Sequence, residues 1–252
     1  MTTLFVSDLH LSHQRPDKLT LFKTFLAEPA RKADALYILG DLFEDFWIGV
    51  DDTLSPNPEI ISALRDFSNH TNTQLFIMCG NRDFHLNNEF AKETGCILIS
   101  DPTEITLDEK KILLMHGDTL CTDDVKYQKW RCFITHPFIK WIYSIMPYSL
   151  RKKIARDVRS YAADAVQKKP AAVIDVTELT VIETIKKFNI EVLIHGHTHR
   201  QAMHDISTED VNAKRIVLGD WYEDDCVLIH DDNGYRFERI ENYINTYKVA
   251  SA

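Results

Sequence analysis

Residues 35–44 read ALYILGDLFE. Five apolar residues run without a break, and then Gly40 and Asp41 turn the chain. A short apolar run closed by glycine reads as a buried strand, with the aspartate just beyond its end. The same shape recurs. TLFVS (3–7) leads to Asp8 and His10, and QLFIMC (74–79) leads to Gly80, Asn81, Arg82 and Asp83. KILLMH (111–116) ends in His116, and EVLIH (191–195) leads through Gly196 to His197 and His199. In open α/β sheets, sites form beyond the carboxyl ends of the strands, so these turns are expected to converge.

The stretches between them complete the pattern. Residues 17–32 read as an amphipathic helix with apolar positions at 19, 22, 25 and 26. A second helix is expected over 56–67, where Pro58 suits a first turn. Repeated strand–helix–strand order predicts a sheet covered by helices. Strands at 96–100, 104–107 and 111–116 then follow too closely for helical crossovers, with DEK (108–110) as a hairpin turn. Residues 123–169 read as mostly helical, with breaks at Pro137 and Pro147. A helix at about 175–188 leads into the strand at 191–195, and further strands are expected near 214–218, 225–230 and 235–239. The expected fold is an α/β sandwich of mixed sheets. Its core would comprise 1–122 and 171–252, with a helical cap inserted at 123–170.

The chain has 252 residues, enough for one large domain with a sizeable core. The net charge of −9 argues against general nucleic-acid binding, so no nucleic-acid partner is expected. No apolar run reaches the roughly 18–20 residues that span a bilayer. The N-terminus MTTLFVSDLH lacks a basic leader segment, and a cytoplasmic protein is expected. None of the five cysteines forms a CxxC pair, and Cys79 and Cys96 sit in apolar runs as expected core thiols. The charge is uneven. Residues 126–169 hold 11 Lys+Arg against Asp157 and Asp164, which leaves 18 Lys+Arg and 36 acids elsewhere. That segment also holds eight of the 26 aromatic residues. Composition alone allows two readings of it: a satellite core with a solvated basic face, or an amphipathic cap for acyl chains and anionic headgroups.

The polar turns supply Asp8, His10, Asp41, Asn81, His116, His197 and His199. Two carboxylates, four imidazoles and one amide form a mixed N/O set suited to Mn, Fe, Zn or Co. Seven donors are too many for one ion and suit two, which at about 3.5–4 Å apart clamp an in-line displacement at phosphorus. An Asp after a strand is more often a turn former, and a lone His-x-His is a weak signal. The co-occurrence of D-x-H, G-D, G-N, H-G and G-H-x-H, in this order at strand ends, carries the reading.

This order resembles the calcineurin-like metallophosphoesterase superfamily over nearly the whole chain outside the cap. The resemblance implies a β-sandwich flanked by helices, holding two metal ions. It implies that Asp8, His10, Asp41 and His199 hold the first, with Asp41 bridging to a second held also by Asn81, His116 and His197. His195 lies outside the pattern and is not assigned as a ligand. In many members the third turn reads Gly-Asn-His, and that histidine protonates the leaving group. Here Arg82 takes its place. Arginine keeps its proton at any working pH (pKa above about 12) and binds phosphate in a fork. A phosphate leaving group, with a second pKa near about 6, needs no acid. Arg82 therefore favours a pyrophosphate substrate, with Asp41, Asn81 and Arg82 as the expected catalytic residues.

Four stretches narrow the resemblance: RKADALYILGDLFE (31–44), GNRDF (80–84), MHGDTLCTDD (115–124) and LIHGHTHR (193–200). They are similar to the UDP-2,3-diacylglucosamine diphosphatase (hydrolase) family of lipid A biosynthesis. That resemblance implies cleavage of the pyrophosphate to 2,3-diacylglucosamine 1-phosphate (lipid X) and UMP, by metal-activated water attacking the uridine-side phosphorus. It implies two divalent ions, typically Mn²⁺, and a peripheral position on the cytoplasmic face of the inner membrane. The cap would enclose the acyl chains. Asn81, Arg82 and His197 would contact the substrate, Asp124 its sugar region, and Lys169 would reach it from the cap. Ala162 and Val166 depart from the polar residues expected there. They share a helix face with Lys169 and are expected to line the pocket by packing. A monomer is expected. The alternative is another binuclear-metal phosphoesterase, such as a dinucleoside-polyphosphate hydrolase, against which the apolar cap and negative charge count. A metal-free scaffold is disfavoured because all seven donors are present.

Overall fold

The computed structural model describes residues 1–50, 52, 55–167 and 175–250. Its strands form two sheets. The first has the order β11-β10-β1-β2-β3-β4, built from β1 (Thr3–Val6), β2 (Ala35–Leu39), β3 (Gln74–Met78), β4 (Ile97–Ile99), β10 (Cys226–Asp231) and β11 (Gly234–Arg239). The second has the order β5-β6-β7-β9-β8, from β5 (Thr103–Leu107), β6 (Lys110–Met115), β7 (Val192–His195), β8 (Ala202–Ser207) and β9 (Asn212–Val217). Strands β1 to β4 run parallel, as do β6, β7 and β9.

Side-chain alternation along each strand sorts the core into layers. Phe5, Tyr37, Leu39 and Met78 face the second sheet, where they meet Ile112, Leu114, Val192, Ile194 and Ile216. Their neighbours Leu4, Val6, Leu36, Ile38 and Ile77 face outward. They are covered by α1 (Pro16–Ala27), α2 (Asn57–His70), α3 (Asn88–Thr94) and α8 (Ile240–Ala250), through Phe22, Phe25, Leu64, Phe67, Phe90 and Ile240. On the far side of the second sheet, Leu113 and Leu193 pack on Val181 and Ile185 of α7 (Glu178–Phe188). Strands buried on both faces explain the unbroken apolar runs.

Three more helices follow β6: α4 (Val125–Ile134), α5 (Pro137–Ile145) and α6 (Tyr148–Gln167). The two expected breaks fall at their joints, because Pro137 opens α5 and Pro147 precedes α6. Phe46, Phe84 and Ile134 form a buried seam there, with Trp130, Ile139, Ala155 and Val158 packed against it. Among the described residues, no helix is long and apolar enough to cross a membrane. All five cysteines are free.

Several expectations need correction. The helix expected over 17–32 ends at Ala27, and Pro29 opens a separate 3-10 turn. The helix expected from 175 begins at Glu178. Strand β8 and helices α3 and α8 were not anticipated. The hairpin turn after β5 is present, with Asp108 and Glu109 both at positive φ (49° and 65°).

Candidate metal centre

The parallel registers bring the carboxyl ends of β1, β2, β3, β6 and β7 to one edge of the sandwich. Backbone hydrogen bonds stitch the turns together. Asp8 N–H donates to Gly40 O at 3.1 Å, His10 N–H to Asp41 O at 3.0 Å and Gly196 N–H to His116 O at 2.8 Å. Five of the seven expected ligands have left-handed backbones: Asp8 (φ 54°), His10 (47°), Asp41 (51°), His197 (70°) and His199 (58°). Side-chain-bearing residues avoid this region, and such strain gathers at functional sites. Two glycines allow the approach. A Cβ at Gly80 would meet Asp41 Oδ1 at 2.2 Å, and one at Gly196 would meet Ser7 Oγ at 2.1 Å.

The seven side chains fall into two sets. In the first, His10 Nε2 and His199 Nε2 face each other at 3.4 Å, with Asp8 Oδ1 at 3.3 Å from His199 Nε2 and 3.9 Å from His10 Nε2. In the second, Asn81 Oδ1 lies 2.9 Å from His116 Nε2 and 2.7 Å from His197 Nδ1. Asp41 lies between them, with Oδ2 3.9 Å from His10 Nε2 and Oδ1 3.7 Å from His116 Nε2. Asp8, His10 and His199 form one group with metal-holding geometry, and Asp8, Asp41 and His116 form another.

The residues fit divalent ions. Asp8 Oδ1 is buried with no aligned hydrogen-bond partner, and it faces the gap between the imidazoles. Burial opposes charge on His116, but Asp41 and Asp8 outweigh it and raise its pKa to about 9. Burial likewise opposes His199, but Asp220 and Asp8 raise it to about 10. Burial pushes Asp8 upward, yet its His199 contact and the nearby imidazoles bring it well below the carboxylate range. His197 is held down to about 4 by burial and by His116.

Sequence reasoning missed the groups behind these ligands. Glu44 Oε2 stands 3.1 Å behind His10 Nδ1, and Asp220 Oδ2 stands 2.8 Å behind His199 Nδ1. His116 Nδ1 meets the Leu39 carbonyl at 2.9 Å. Ser7 Oγ donates to Asp8 Oδ2 at 2.6 Å. A signal for Asp220 did exist: VLGDW at 217–221 repeats the strand–Gly–Asp form of ILGDL at 38–42. Asp118 was also missed. It is buried, accepts from Arg131 Nε at 2.6 Å and from Tyr127 Oη, and Tyr127 lies against His197 with ring centroids 6.2 Å apart.

The other expected site residues fare differently. Arg82 donates its backbone N–H to Asp41 Oδ1 at 2.7 Å. Among the described residues, no ion pair joins its guanidinium to Asp83, which is fully buried and spends its carboxylate on backbone. Asp124 caps α4, its Oδ1 accepting Tyr127 N–H at 3.1 Å. Ala162 and Val166 lie on α6, but their side chains are outside the described residues, as is all of Lys169. His195 is buried at the end of β7, where burial lowers its pKa to about 4.

The fold and this cluster of strand-end donors make a candidate metal centre of the phosphoesterase type. The calcineurin-like phosphoesterase profile matches residues 1–201, and the chain belongs to that family. Within the family its likeness is narrower. It is 43% identical over 235 residues to the UDP-2,3-diacylglucosamine hydrolase of Azotobacter vinelandii, covering 93% of this chain and 97% of that one. It is 45% identical to the protein of that name from Pseudomonas syringae pv. tomato, covering 92% of each chain. The protein of that name from Tolumonas auensis is 44% identical, with 98% and 100% covered.

Proposed function

We propose that this chain hydrolyses the pyrophosphate of UDP-2,3-diacylglucosamine, giving 2,3-diacylglucosamine 1-phosphate and UMP. Whole-length similarity to hydrolases named for that substrate supports the substrate. One observation carries the chemistry. Asp41 turns its two oxygens toward His10 and His116, members of two separate donor sets, as a bridging carboxylate must.

Asp8, His10, Asp41 and His199 would hold one divalent ion, and Asp41, Asn81, His116 and His197 the other, with Mn²⁺ our preferred occupant. When bound, such ions activate water and neutralise charge on the phosphoryl oxygens. Arg82, tethered through its backbone to Asp41, supplies a permanent cation for the charge of the departing phosphate. A lipid phosphate leaves as the anion, so no proton donor is needed at this position. Asn81, Arg82 and His197 contact the substrate, with Asp124 on the sugar side.

In this reading residues 123–170 are the cap, and Ala162, Val166 and Lys169 are its expected pocket residues, whose side chains lie outside the described residues. Phe138, Trp141 and Ile145 of α5, spaced i, i+3 and i+7, leave one face 57–63% exposed. Lys140, Arg151, Lys152 and Lys153 lie close by in the chain. An apolar stripe with basic neighbours supports acyl-chain binding and peripheral contact with an anionic membrane surface. The protein then works as a monomer on the cytoplasmic face of the inner membrane.

The test is a substrate panel with purified protein and Mn²⁺: UDP-2,3-diacylglucosamine, deacylated UDP-glucosamine and a dinucleoside polyphosphate. We expect the acylated substrate to be turned over far faster than both others. Equal rates with and without acyl chains would remove the acyl-binding role. Preference for the dinucleotide would favour the alternative phosphoesterase.

A further inference from the structure

We propose that the two metal positions are unequal. The one between Asp8, His10 and His199 holds its cation more tightly, and Glu44 and Asp220 are the positioning residues responsible. This inference rests on the binuclear reading above.

The difference lies behind the imidazoles. In the first set both rear nitrogens face a carboxylate, Glu44 Oε2 at 3.1 Å from His10 Nδ1 and Asp220 Oδ2 at 2.8 Å from His199 Nδ1. Glu44 is the one carboxylate at ion-pair distance from His10 Nδ1 among the described residues. The Asp220 carboxylate and the Glu44 backbone are anchored. Asp220 Oδ1 accepts the Tyr222 and Glu223 N–H groups, each at 2.9 Å, which aims Oδ2 at His199. Glu44 N–H donates to Leu11 O at 3.2 Å, which holds its backbone beside the residue that follows His10.

The second set has no such backing. His116 Nδ1 meets a neutral carbonyl, that of Leu39, at 2.9 Å. His197 turns Nδ1 to Asn81, and among the described residues no carboxylate lies within ion-pair distance of either of its nitrogens. Its remaining donor, Asn81, is a neutral amide. A carboxylate behind a ligating imidazole fixes the ring's tautomer and orientation and makes the front nitrogen a better donor, typically worth 10–100-fold in affinity. Asp41 is shared, so it does not favour either position.

The test is a Mn²⁺ titration of metal-free protein, with free Mn²⁺ followed by electron paramagnetic resonance, so that the readout does not depend on turnover. Wild type should show two dissociation constants at least about tenfold apart. Glu44→Gln and Asp220→Asn keep side-chain size, and the Asn keeps Oδ1 for its two backbone donors. Each should weaken the tight class by roughly 10–100-fold and leave the weaker class unchanged. Asn81→Ala should weaken only the weaker class. Circular dichroism checks that each variant is folded, and either of the two carboxylate variants alone suffices. Two equal sites in wild type would overturn the inference, as would a tight class unmoved by the folded variants. A folded wild type that binds no Mn²⁺ would instead overturn the binuclear reading itself.

Discussion

Asp83 Oδ2 accepts the Leu42 N–H at 2.9 Å, and Asp83 Oδ1 accepts the Gly80 N–H at 2.6 Å. One buried carboxylate thus clasps the turn that carries Asn81 and Arg82 to the turn that carries Asp41. Burial and the nearby Asp41 push its pKa up to about 6, but the two N–H groups hold it in place. Asp83→Ala leaves both donors buried and unsatisfied, at a cost on the order of 3 kcal/mol. Thermal melting of the metal-free variant should fall by roughly 6–12 °C. An unchanged melting temperature would remove the clasp from the account.

Metal uptake should release protons. The carboxylates around them raise His116 to about 9 and His199 to about 10 in the absence of bound ions, which favours the protonated rings at pH 7.5. A ligating nitrogen must be deprotonated, so binding two ions should expel about two protons, and affinity should rise with pH up to that range. Calorimetry in buffers of different ionisation enthalpy counts these protons. Release near zero at pH 7.5 would contradict either the raised pKa values or the assignment of these imidazoles as donors.

Acid should loosen the seam between α5 and the core. The His85 ring stacks on Tyr143 with centroids 4.1 Å apart, and burial, then Lys140, hold its pKa down to about 3. Below the ordinary histidine value of 6.5, the unfolded chain takes a proton that the folded one refuses. Stability is therefore full above that pH and falls as pH drops toward 3, by up to ~1.4 kcal/mol per pH unit from this group. His195, lowered to about 4, adds a similar loss from β7. His85→Phe should flatten the urea-midpoint curve between pH 7 and 5 without abolishing its slope. An identical slope in the variant would place the acid sensitivity elsewhere.

Arg131 joins α4 to the strand ends. Its Nε donates to Asp118 at 2.6 Å, and its terminal NH₂ donates to Asp101 at 2.8 Å. Removing one partner of a buried ion pair costs about 3–5 kcal/mol, because the remaining charge is left uncompensated. Arg131→Met should lose that much in urea unfolding, and the double variant Arg131→Met/Asp118→Leu should recover part of it. A single variant as stable as wild type would show that the network does not anchor α4.

The strands bearing the ligands were legible because burial on both faces forces unbroken apolar runs, as in ALYIL and VLI. Strand β8 (AMHDIS) was not, because it is an edge strand with mostly exposed side chains and no such run. Pro29 stops α1, whereas the apolar spacing alone carried the expected helix to 32. The seven donors could be read because each follows a strand end. Glu44 and Asp83 could not, since an acid in a loop carries no mark of what it faces. Tyr127 and Arg131 were hidden because sequence does not show that α4 folds back onto Asp118, or that it meets Asp101 and His197.

The central claim is that this centre splits a UDP-lipid pyrophosphate at the uridine-side phosphorus. The most direct measurement is turnover of UDP-2,3-diacylglucosamine with Mn²⁺ in ¹⁸O-labelled water, with the products weighed by mass spectrometry. The account predicts one ¹⁸O in UMP, none in the 2,3-diacylglucosamine 1-phosphate, and no turnover by Asp41→Ala. Label in the lipid phosphate alone, or near-normal turnover by Asp41→Ala, would contradict it.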